Sequence, residues 1–351
     1  MVPKVQKAIV ITEIGKPVTL VTDRPVPQPG QNQIQVQVTV TATNPHDQKL
    51  RDFGLLVGDH LPALFTNDVV GKVVAVGSEV TKFAVGDRVV SFAALDTTNY
   101  SQVGSQEYVV FDQDISMKIP DQITDDDAAT LPVNLIAVFL GFFDEPTLNL
   151  PAPWTKEAAE FDYKNTTVLI VGGGSNCGRF AVQLAALAGF GRIVVVGGNE
   201  AELKGWGATN VLDRQGTPDE VLKRIHGVVG DELLYAIDCV NDLDGQALGV
   251  NALSSSKKGK FTRLVPHGPV NEALIKPKKA GCEITAVFGA MRAQTKLVQE
   301  FWSRLPQYLL DGKVVPLAYT VVQGFTPDKV NAVLDAYRDG KKVVQAHFHV
   351  I

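Results

Sequence analysis

The sequence predicts a two-domain α/β protein in which a β-rich region accompanies a doubly wound parallel sheet. Three observations support this prediction. Residues 1–130 contain short apolar strands separated by prolines and glycines, and the middle of the chain alternates apolar strands with helices. The length of 351 residues is also more than one hydrophobic core usually accommodates. Strands that alternate with helices form a parallel sheet covered on both faces.

Composition narrows the class of protein and its partners. Hydrophobic residues make up 45% of the chain and charged residues 20%, which is ordinary for a globular protein. The net charge of −5 argues against nucleic acid or an anionic membrane as the main partner. Residues 1–15 lack the apolar region and cleavage site of a signal peptide, and the three cysteines are scattered. We therefore expect a cytoplasmic protein that binds a small molecule.

The β-rich region is clearest at residues 31–43, where apolar side chains occupy every second position from Ile34 to Val40. This alternation predicts a strand with one buried face. Similar short runs at regular spacing are typical of a compact barrel or sandwich. We expect these further strands at residues 7–11, 18–21, 69–76, 88–92 and 105–111.

The strongest chemical signal is a glycine loop in the middle of the chain. Residues 168–171 form an apolar strand, three glycines follow at 172–174, and residues 176–188 have helical spacing. Glycines let the backbone approach a pyrophosphate, and a helix N-terminus offers free N–H groups. A glycine turn that serves packing alone is the alternative, but the strand at 193–196 completes a βαβ unit. The residues expected to bind a dinucleotide here are Gly173, Gly174, Ser175, Asn176, Cys177 and Gly178.

Ordered motifs along nearly the whole chain resemble the medium-chain dehydrogenase/reductase superfamily. They are NPHD at 44–47, DVVG at 68–71, VGSEV at 76–80, VGDRV at 85–89, EYVV at 107–110, KIP at 118–120, AATLP at 128–132, the glycine loop, GA at 207–208 and DGK at 339–341. The chain is most similar to zinc-independent quinone and enoyl reductases, including fungal trans-acting enoyl reductases. The resemblance implies a GroES-like catalytic domain of residues 1–130 and 311–351. A Rossmann domain of residues 131–310 would interrupt it, with the cofactor between the two.

The zinc ligands of metal-dependent members have no counterpart here. Those members carry a cysteine after the strand at 34–43 and a Gly-His-Glu motif before the next strand. This chain has Asn44-Pro45 and Asn67-Asp68 at those places, which is not a tetrahedral ligand set. His347 and His349 share a strand face, but no carboxylate or cysteine lies near them in sequence. We therefore expect no metal.

The resemblance also bears on the choice between NAD and NADP. A carboxylate at the end of the second Rossmann strand binds both ribose hydroxyls and selects NAD. Gly197 occupies that position, so we expect NADPH, with nearby basic residues supplying charge for the 2′-phosphate. Glu200 would repel that phosphate, and the basic residues are alternatively ordinary surface charges. The further residues expected to bind the cofactor are Gly197, Gly198, Asn199, Lys204, Arg214, Val265 and Phe288.

Residues 44–53 are expected to supply the polar groups of catalysis. The fungal enoyl reductases have a lysine near the nicotinamide at the position of Lys49, which could stabilise negative charge or donate a proton. Alternatively, Lys49 only solvates the start of a helix. Asp47 either orients this segment through backbone hydrogen bonds or takes part in acid–base chemistry. Asn44 completes this candidate catalytic set.

Two residues depart from the pattern of the relatives. Ala137 stands where relatives often carry a threonine that faces the nicotinamide, and Asn134 either substitutes for that hydroxyl or caps a helix. Cys177 is either a packing residue or, near a helix N-terminus, a reactive thiol. The expected substrate pocket suits an apolar unsaturated or carbonyl compound, although its members could be ordinary core. By analogy of position with those relatives, the residues expected to line this pocket are Phe53, Leu56, Phe65, Tyr100, Asn134 and Phe139.

Together these features predict an NADPH-dependent reductase of an activated C=C bond in an enone, an enoyl thioester or a quinone. Hydride transfer would proceed without metal. The alternatives are a zinc-type alcohol dehydrogenase and a non-catalytic NADPH-binding protein. The sequence is compatible with a monomer or with a homodimer that pairs through residues 283–288.

Overall fold

The computed structural model describes residues 2–55, 57, 60–93, 100–265, 268–287 and 295–350. The chain forms two compact units. The first contains Met1–Val133, Ala290–Gly312 and Pro316–Ile351, and the second contains Asn134–Gly289 and Lys313–Val315. The first unit holds a mainly antiparallel sheet and the second a parallel sheet, so the predicted α/β class is confirmed.

The first unit is rich in strands drawn from both ends of the chain. Its strands are β1 Val5–Val10, β2 Thr19–Pro25, β3 Gln33–Thr43, β4 Asp68–Val76, β5 Arg88–Phe92, β6 Tyr108–Asp112, β7 Ser116–Lys118, β14 Tyr319–Val322 and β15 Gln345–His349. Its helices are α1 Pro45–Phe53, α2 Asp125–Ala129, α9 Lys296–Leu310 and α10 Pro327–Arg338. Helix α3, Pro132–Phe143, begins in this unit and continues along the chain into the second.

The main sheet of the first unit has the order β14-β15-β3-β4-β5-β7, and β6 also pairs with β3. The alternation predicted for β3 is present, because Ile34, Val36 and Val38 are completely buried. They form a core with Val69 and Phe111 of the neighbouring strands. Strand β15 pairs with β3 in antiparallel register, so the last strand of the chain lies inside this sheet, whereas β1 and β2 form a separate two-stranded sheet.

The second unit is a parallel sheet with helices between its strands. Its strands are β8 Thr167–Val171, β9 Arg192–Val196, β10 Asn210–Leu212, β11 Tyr235–Asp238, β12 Gly259–Arg263 and β13 Cys282–Ala286. Its helices after α3 are α4 Lys156–Glu160, α5 Asn176–Ala188, α6 Glu200–Gly205, α7 Pro218–Val229 and α8 Ala247–Ala252. The sheet order β10-β9-β8-β11-β12-β13 is that of a Rossmann fold, whose ligands bind where the order reverses, between β8 and β11.

The division into units differs from the predicted boundaries around helix α9. The sequence assigned residues 131–310 to the Rossmann domain, but the compact first unit includes α9. The apolar face of α9, with Phe301, Trp302 and Leu305, is buried, and the helix contacts β7 of the first unit. Periodicity predicts such a face, but not which sheet it covers. Within the described ranges, no helix has the length and apolar character needed to cross a membrane.

The close approach of β3 and β4 generates a stability prediction. A Cβ at Gly71 would lie 2.2 Å from the carbonyl oxygen of Gln37 and 2.6 Å from Cγ1 of Val36. We expect Gly71→Ala to lower the free energy of unfolding by about 2–4 kcal/mol, because the central strands must separate. The matched control is Gly227→Ala in α7, where a Cβ meets nothing within 4 Å and should add about 0.5–1 kcal/mol. Equal effects of the two substitutions in urea unfolding would contradict this account.

Candidate active site

The glycine loop joins β8 to α5 in the second unit. Gly172 has a φ of +93°, a conformation that side chains other than glycine rarely adopt. Ser175 caps the helix, since its Oγ accepts a hydrogen bond from the N–H of Gly178 at 2.9 Å and donates one to the carbonyl of Gly172 at 2.9 Å. The first turn of α5 therefore lies directly beyond β8, where helix N–H groups lack helical partners.

Three glycines of this loop differ in what surrounds them. A Cβ at Gly178 would lie 2.2 Å from the carbonyl oxygen of Gly172, and one at Gly173 would lie 2.3 Å from Cγ1 of Val195. Both positions therefore need glycine for the packing of the unit itself. A Cβ at Gly174 would come no closer than 3.4 Å to any protein atom. Packing within the protein therefore does not require glycine at position 174.

The end of β9 carries no carboxylate. Gly197 and Gly198 follow the strand with φ of +77° and +98°, and Asn199 then caps α6 by accepting a hydrogen bond from the N–H of Glu202 at 3.0 Å. The aliphatic part of Arg214 lies beside Gly197, because a Cβ there would be 3.1 Å from Cδ of Arg214. Arg214 is exposed and makes no ion pair within the described part of the chain.

Two other cations near this strand end are paired with acids. Lys204 lies 2.7 Å from Glu200 in an exposed i,i+4 ion pair. Its positive charge is therefore paired with the same glutamate that was expected to repel a phosphate. Arg179, in the first turn of α5, lies 3.1 Å from Glu202. Sequence reasoning missed Arg179, although its place directly after Gly178 was a usable signal.

Cys177 and Val265, which were also expected to bind the cofactor, form hydrogen bonds within the second unit. The thiol of Cys177 lies 3.3 Å from Oδ1 of Asn134, so these two side chains form a hydrogen bond with each other. Asn134 is the third residue of α3 and so does not precede the helix as a cap. The carbonyl of Val265 accepts a hydrogen bond from Gln246 at 2.8 Å. Phe288 lies outside the described residues.

In the first unit, Asn44 and Asp47 form a buried network at the start of α1. Oδ2 of Asp47 accepts a hydrogen bond from the N–H of Asn44 at 2.7 Å, and Oδ1 accepts one from the N–H of Thr66 at 2.9 Å. Asp47 is completely buried and Asn44 is 2% exposed. These contacts match the orienting role considered for Asp47.

Asp68 is the residue of this network that sequence reasoning did not single out as functional. Its Oδ2 accepts hydrogen bonds from Nδ2 of Asn44 at 2.6 Å and from Nε2 of Gln345 at 3.0 Å, and its Oδ1 accepts one from the N–H of Val133 at 2.7 Å. Complete burial raises the pKa of Asp68 to about 7, although these hydrogen bonds favour the charged form. A charged residue at the first position of a buried strand was the available signal.

Lys49 lies on the second turn of α1. The side chain is half-buried, and desolvation lowers its pKa below the usual lysine range. A lysine with a lowered pKa holds a transferable proton closer to neutral pH than an exposed one. This placement is compatible with the predicted proton donor, which stays a prediction.

The residues expected to line the substrate pocket are not alike in exposure. Phe65 is completely buried and Tyr100 is 7% exposed, and both belong to one core cluster of the first unit. Phe139 is completely buried in the second unit, with its ring stacked on Trp154 at 5.9 Å. Phe53, by contrast, is 73% exposed at the end of α1, so a bound molecule would have to cover it. Leu56 lies outside the described residues.

The two histidines of β15 acquire a carboxylate that is distant in sequence. Nδ1 of His347 and Nε2 of His349 each lie 3.1 Å from a carboxylate oxygen of Asp126 on α2. His347 is completely buried, and its ring stacks on Tyr319 with centroids 4.6 Å apart. Across the described ranges, no group of three acidic, histidine or cysteine side chains could hold a metal ion.

The position of the zinc ligands in metal-dependent relatives holds side chains that are hydrogen-bonded to the protein. Nδ2 of Asn67 donates to the carbonyl of Ala93 at 2.6 Å, and its Oδ1 lies 2.9 Å from Nε2 of His46. Nδ2 of Asn44 donates a hydrogen bond to Oδ2 of Asp68. Amide groups with satisfied hydrogen bonds are poor zinc ligands, so this donor set does not fit a catalytic zinc.

Comparison with known proteins identifies relatives over most of the chain. A family model for the alcohol dehydrogenase GroES-like domain matches residues 30–121. A trans-enoyl reductase of Penicillium crustosum is 30% identical over 270 residues, which cover 76% of this chain and 71% of that protein. This similarity extends well beyond the matched domain.

Solved structures share the fold of the whole chain at low identity. A quinone oxidoreductase of Pseudomonas syringae has a TM-score of 0.76 at 20% identity, with 98% of this chain and 99% of that chain covered. A mycobacterial protein solved in complex with NADPH has a TM-score of 0.73 at 21% identity, with 98% and 99% covered. Both confirm a GroES-like unit joined to a Rossmann-like unit.

The buried His347 generates a prediction about pH and stability. Burial lowers the pKa of His347 to about 4, so its contribution is complete above the usual histidine pKa of about 6.5 and is lost as pH falls toward 4. We expect the stability difference between wild type and His347→Phe to shrink by about 2–3 kcal/mol from pH 7 to pH 4.5. Urea unfolding of both proteins at each pH measures it.

The comparison with the variant is needed because the contribution of Asp68 to the free energy of unfolding changes with pH in the opposite direction to that of His347. Its pKa is raised to about 7, so its contribution is lost as pH rises from about 4 to 7. The wild-type curve therefore sums these opposing effects with those of other carboxyl groups, and only the difference isolates His347. A difference that stays constant across this range would contradict the prediction.

Proposed function

This chain belongs to the medium-chain dehydrogenase/reductase superfamily and is an oxidoreductase of that type. From this premise we propose that it uses NADPH to reduce an activated C=C bond without a metal. The observation that carries the proposal is the glycine loop whose Gly174 no protein contact requires, beside a strand end that lacks a carboxylate. The trans-enoyl reductase relative favours a C=C bond conjugated to a carbonyl group.

The residues of the second unit fit a dinucleotide. The N–H groups of the first turn of α5 and the open face at Gly174 would hold the pyrophosphate. Ser175 keeps this turn in place through its bonds to Gly172 and Gly178. A bound nicotinamide supplies the hydride, and the protein has to bind the acceptor, orient it and exclude water.

The preference for NADPH depends on Arg214. Two consecutive glycines at the end of β9 place no side chain beside the glycine loop, and the stem of Arg214 lies against the first of them. Lys204 and Arg179 already face carboxylates, whereas Arg214 has no such partner within the described ranges. We assign the 2′-phosphate to Arg214, because guanidinium binds phosphate with two hydrogen bonds. The mycobacterial structural neighbour was solved with NADPH, which supports this choice.

Proton supply is assigned to Lys49. Reduction of a conjugated C=C bond places negative charge on the carbonyl oxygen and requires a proton at carbon. An ammonium group stabilises that charge, and the lowered pKa of Lys49 brings proton transfer closer to neutral pH. The absent threonine at Ala137 increases the share of this task that falls to Lys49. The donor set at Asn44, Asn67 and Asp68 supports a reaction without zinc.

Arg214 provides the test of cofactor preference. We expect Arg214→Ala to weaken NADPH binding roughly 10- to 100-fold, as expected for a lost charge-assisted hydrogen bond, and to leave NADH binding nearly unchanged. The matched control is Lys204→Ala, whose cation is already paired with Glu200 and should matter severalfold less. Titration of nicotinamide fluorescence with both cofactors measures these affinities. Equal loss for NADH and NADPH would show that Arg214 does not contact the phosphate.

The reaction itself is tested by oxidation of NADPH in the presence of an enone, an enoyl thioester, a quinone and an aldehyde. We expect turnover with one of the first three and a fall in kcat of about 10²–10³ for Lys49→Met, with NADPH affinity unchanged. Activity should decline at high pH as Lys49 loses its proton, at a pH below the usual lysine pKa. Tight NADPH binding without turnover on any acceptor would favour a non-catalytic protein, and stoichiometric zinc would favour an alcohol dehydrogenase.

A further inference from the structure

The carboxylate of Asp68 lies where four segments of the first unit begin. Asp68 is itself the first residue of β4, Gln345 is the first residue of β15, Asn44 precedes α1, and Val133 is in the first turn of α3. The last three each donate one hydrogen bond to it. No cationic side chain among the described residues forms a hydrogen bond or ion pair with it. Three donors therefore converge on the carboxylate of Asp68, and Nε2 of Gln345 also lies 3.5 Å from Oδ1 of Asn44.

Three donors converge on this position, which favours a carboxylate over an amide. The NH₂ group of an asparagine here would either oppose the Val133 N–H or face the amides of Asn44 and Gln345, which would then have to turn over to accept a hydrogen bond. A buried charge without a cation is costly, and a well-packed apolar residue is often as stable. Stability alone therefore does not account for Asp68, whereas a fixed arrangement of its neighbours does.

The same helix is fixed at its other end by a second buried charge. Arg51 is 2% exposed, and its Nη2 lies 2.8 Å from Asp335 and its Nη1 3.3 Å from Oδ1 of Asn331, both on α10. Helix α1 is thus held near its start by Asp68 through Asn44 and by Thr66 through Asp47, and near its end by α10 through Arg51. Lys49 lies between these attachments, on the second turn.

We infer that Asp68 is a positioning residue, which fixes the start of α1 through Asn44 and so determines where Lys49 is presented. The inference rests on the proposed catalytic function of Lys49. A displacement of about 1 Å in a reacting group can reduce a rate about 100-fold. Attachments near both ends of a nine-residue helix restrict such a displacement, and the one at Asn44 depends on the charged form of Asp68.

A pH dependence follows from the same geometry. The titratable groups that act on Asp68 are His46 and Asp47 on α1 and Tyr337 on α10. Burial raises the pKa of Asp68 to about 7, and the charged form is the one that accepts all three hydrogen bonds. The turnover rate should therefore fall as pH drops below about 7 in wild type, and this acid limb should be absent from Asp68→Asn.

The test compares Asp68→Asn with Gln113→Leu. Gln113 is 5% exposed in the same unit and accepts hydrogen bonds from the N–H groups of Thr81 and Lys82, away from α1. We expect Asp68→Asn to lower kcat at least tenfold while KM and NADPH affinity stay within twofold, and Gln113→Leu to keep kcat within twofold. Gln345→Met, which removes one of the three donors, serves if Asp68→Asn does not fold, with a smaller loss of kcat in the same direction.

A second measurement does not need enzymatic activity. The rate at which acetic anhydride modifies Lys49, followed by peptide mass spectrometry across pH, reports its pKa and its burial. We expect the midpoint for Lys49 to move up toward that of surface lysines in Asp68→Asn and to stay unchanged in Gln113→Leu. A moved midpoint in a protein without reductase activity would overturn the proposed function alone. Unchanged kcat and unchanged Lys49 modification in Asp68→Asn would overturn the positioning role.

Discussion

The first unit depends on a buried carboxylate with three hydrogen-bond donors. Asp68 connects the beginnings of two helices and two strands that are as far apart in sequence as Asn44 and Gln345. A single carboxylate joins them because its charged form accepts hydrogen bonds from three buried donors. The neighbouring Asp47 binds two backbone N–H groups in the same way. The polar start of α1 is therefore a buried hydrogen-bonded network that holds the helix in place.

The second unit depends on close packing instead of buried charge. Gly173 and Gly178 allow the loop after β8 to contact Val195 and its own carbonyl at distances that no side chain permits. This contact places the first turn of α5 at the point where the strand order reverses. The same geometry leaves Gly174 open, so one loop combines a structural requirement with space for a ligand.

Much of the fold and part of the site could be predicted from the sequence. The alternation of β3, the βαβ unit around the glycine loop and the missing carboxylate after β9 are local patterns, and local patterns reflect burial and backbone conformation directly. The apolar residues expected around the substrate were less predictable. Phe65 and Phe139 are core residues, while Phe53 is exposed, and hydrophobicity alone does not distinguish these environments.

By itself, the sequence determined the α/β class, the position of the glycine loop between β8 and α5, and the superfamily, because glycine spacing and strand periodicity are properties of neighbouring residues. Only the tertiary structure decided which charges are paired. It left Arg214 beside Gly197, brought Asp126 to His347 and His349, and brought Gln345 to Asp68. The physical reason is that a carboxylate and its partner meet in space after folding, and nothing in their sequence separation specifies that meeting.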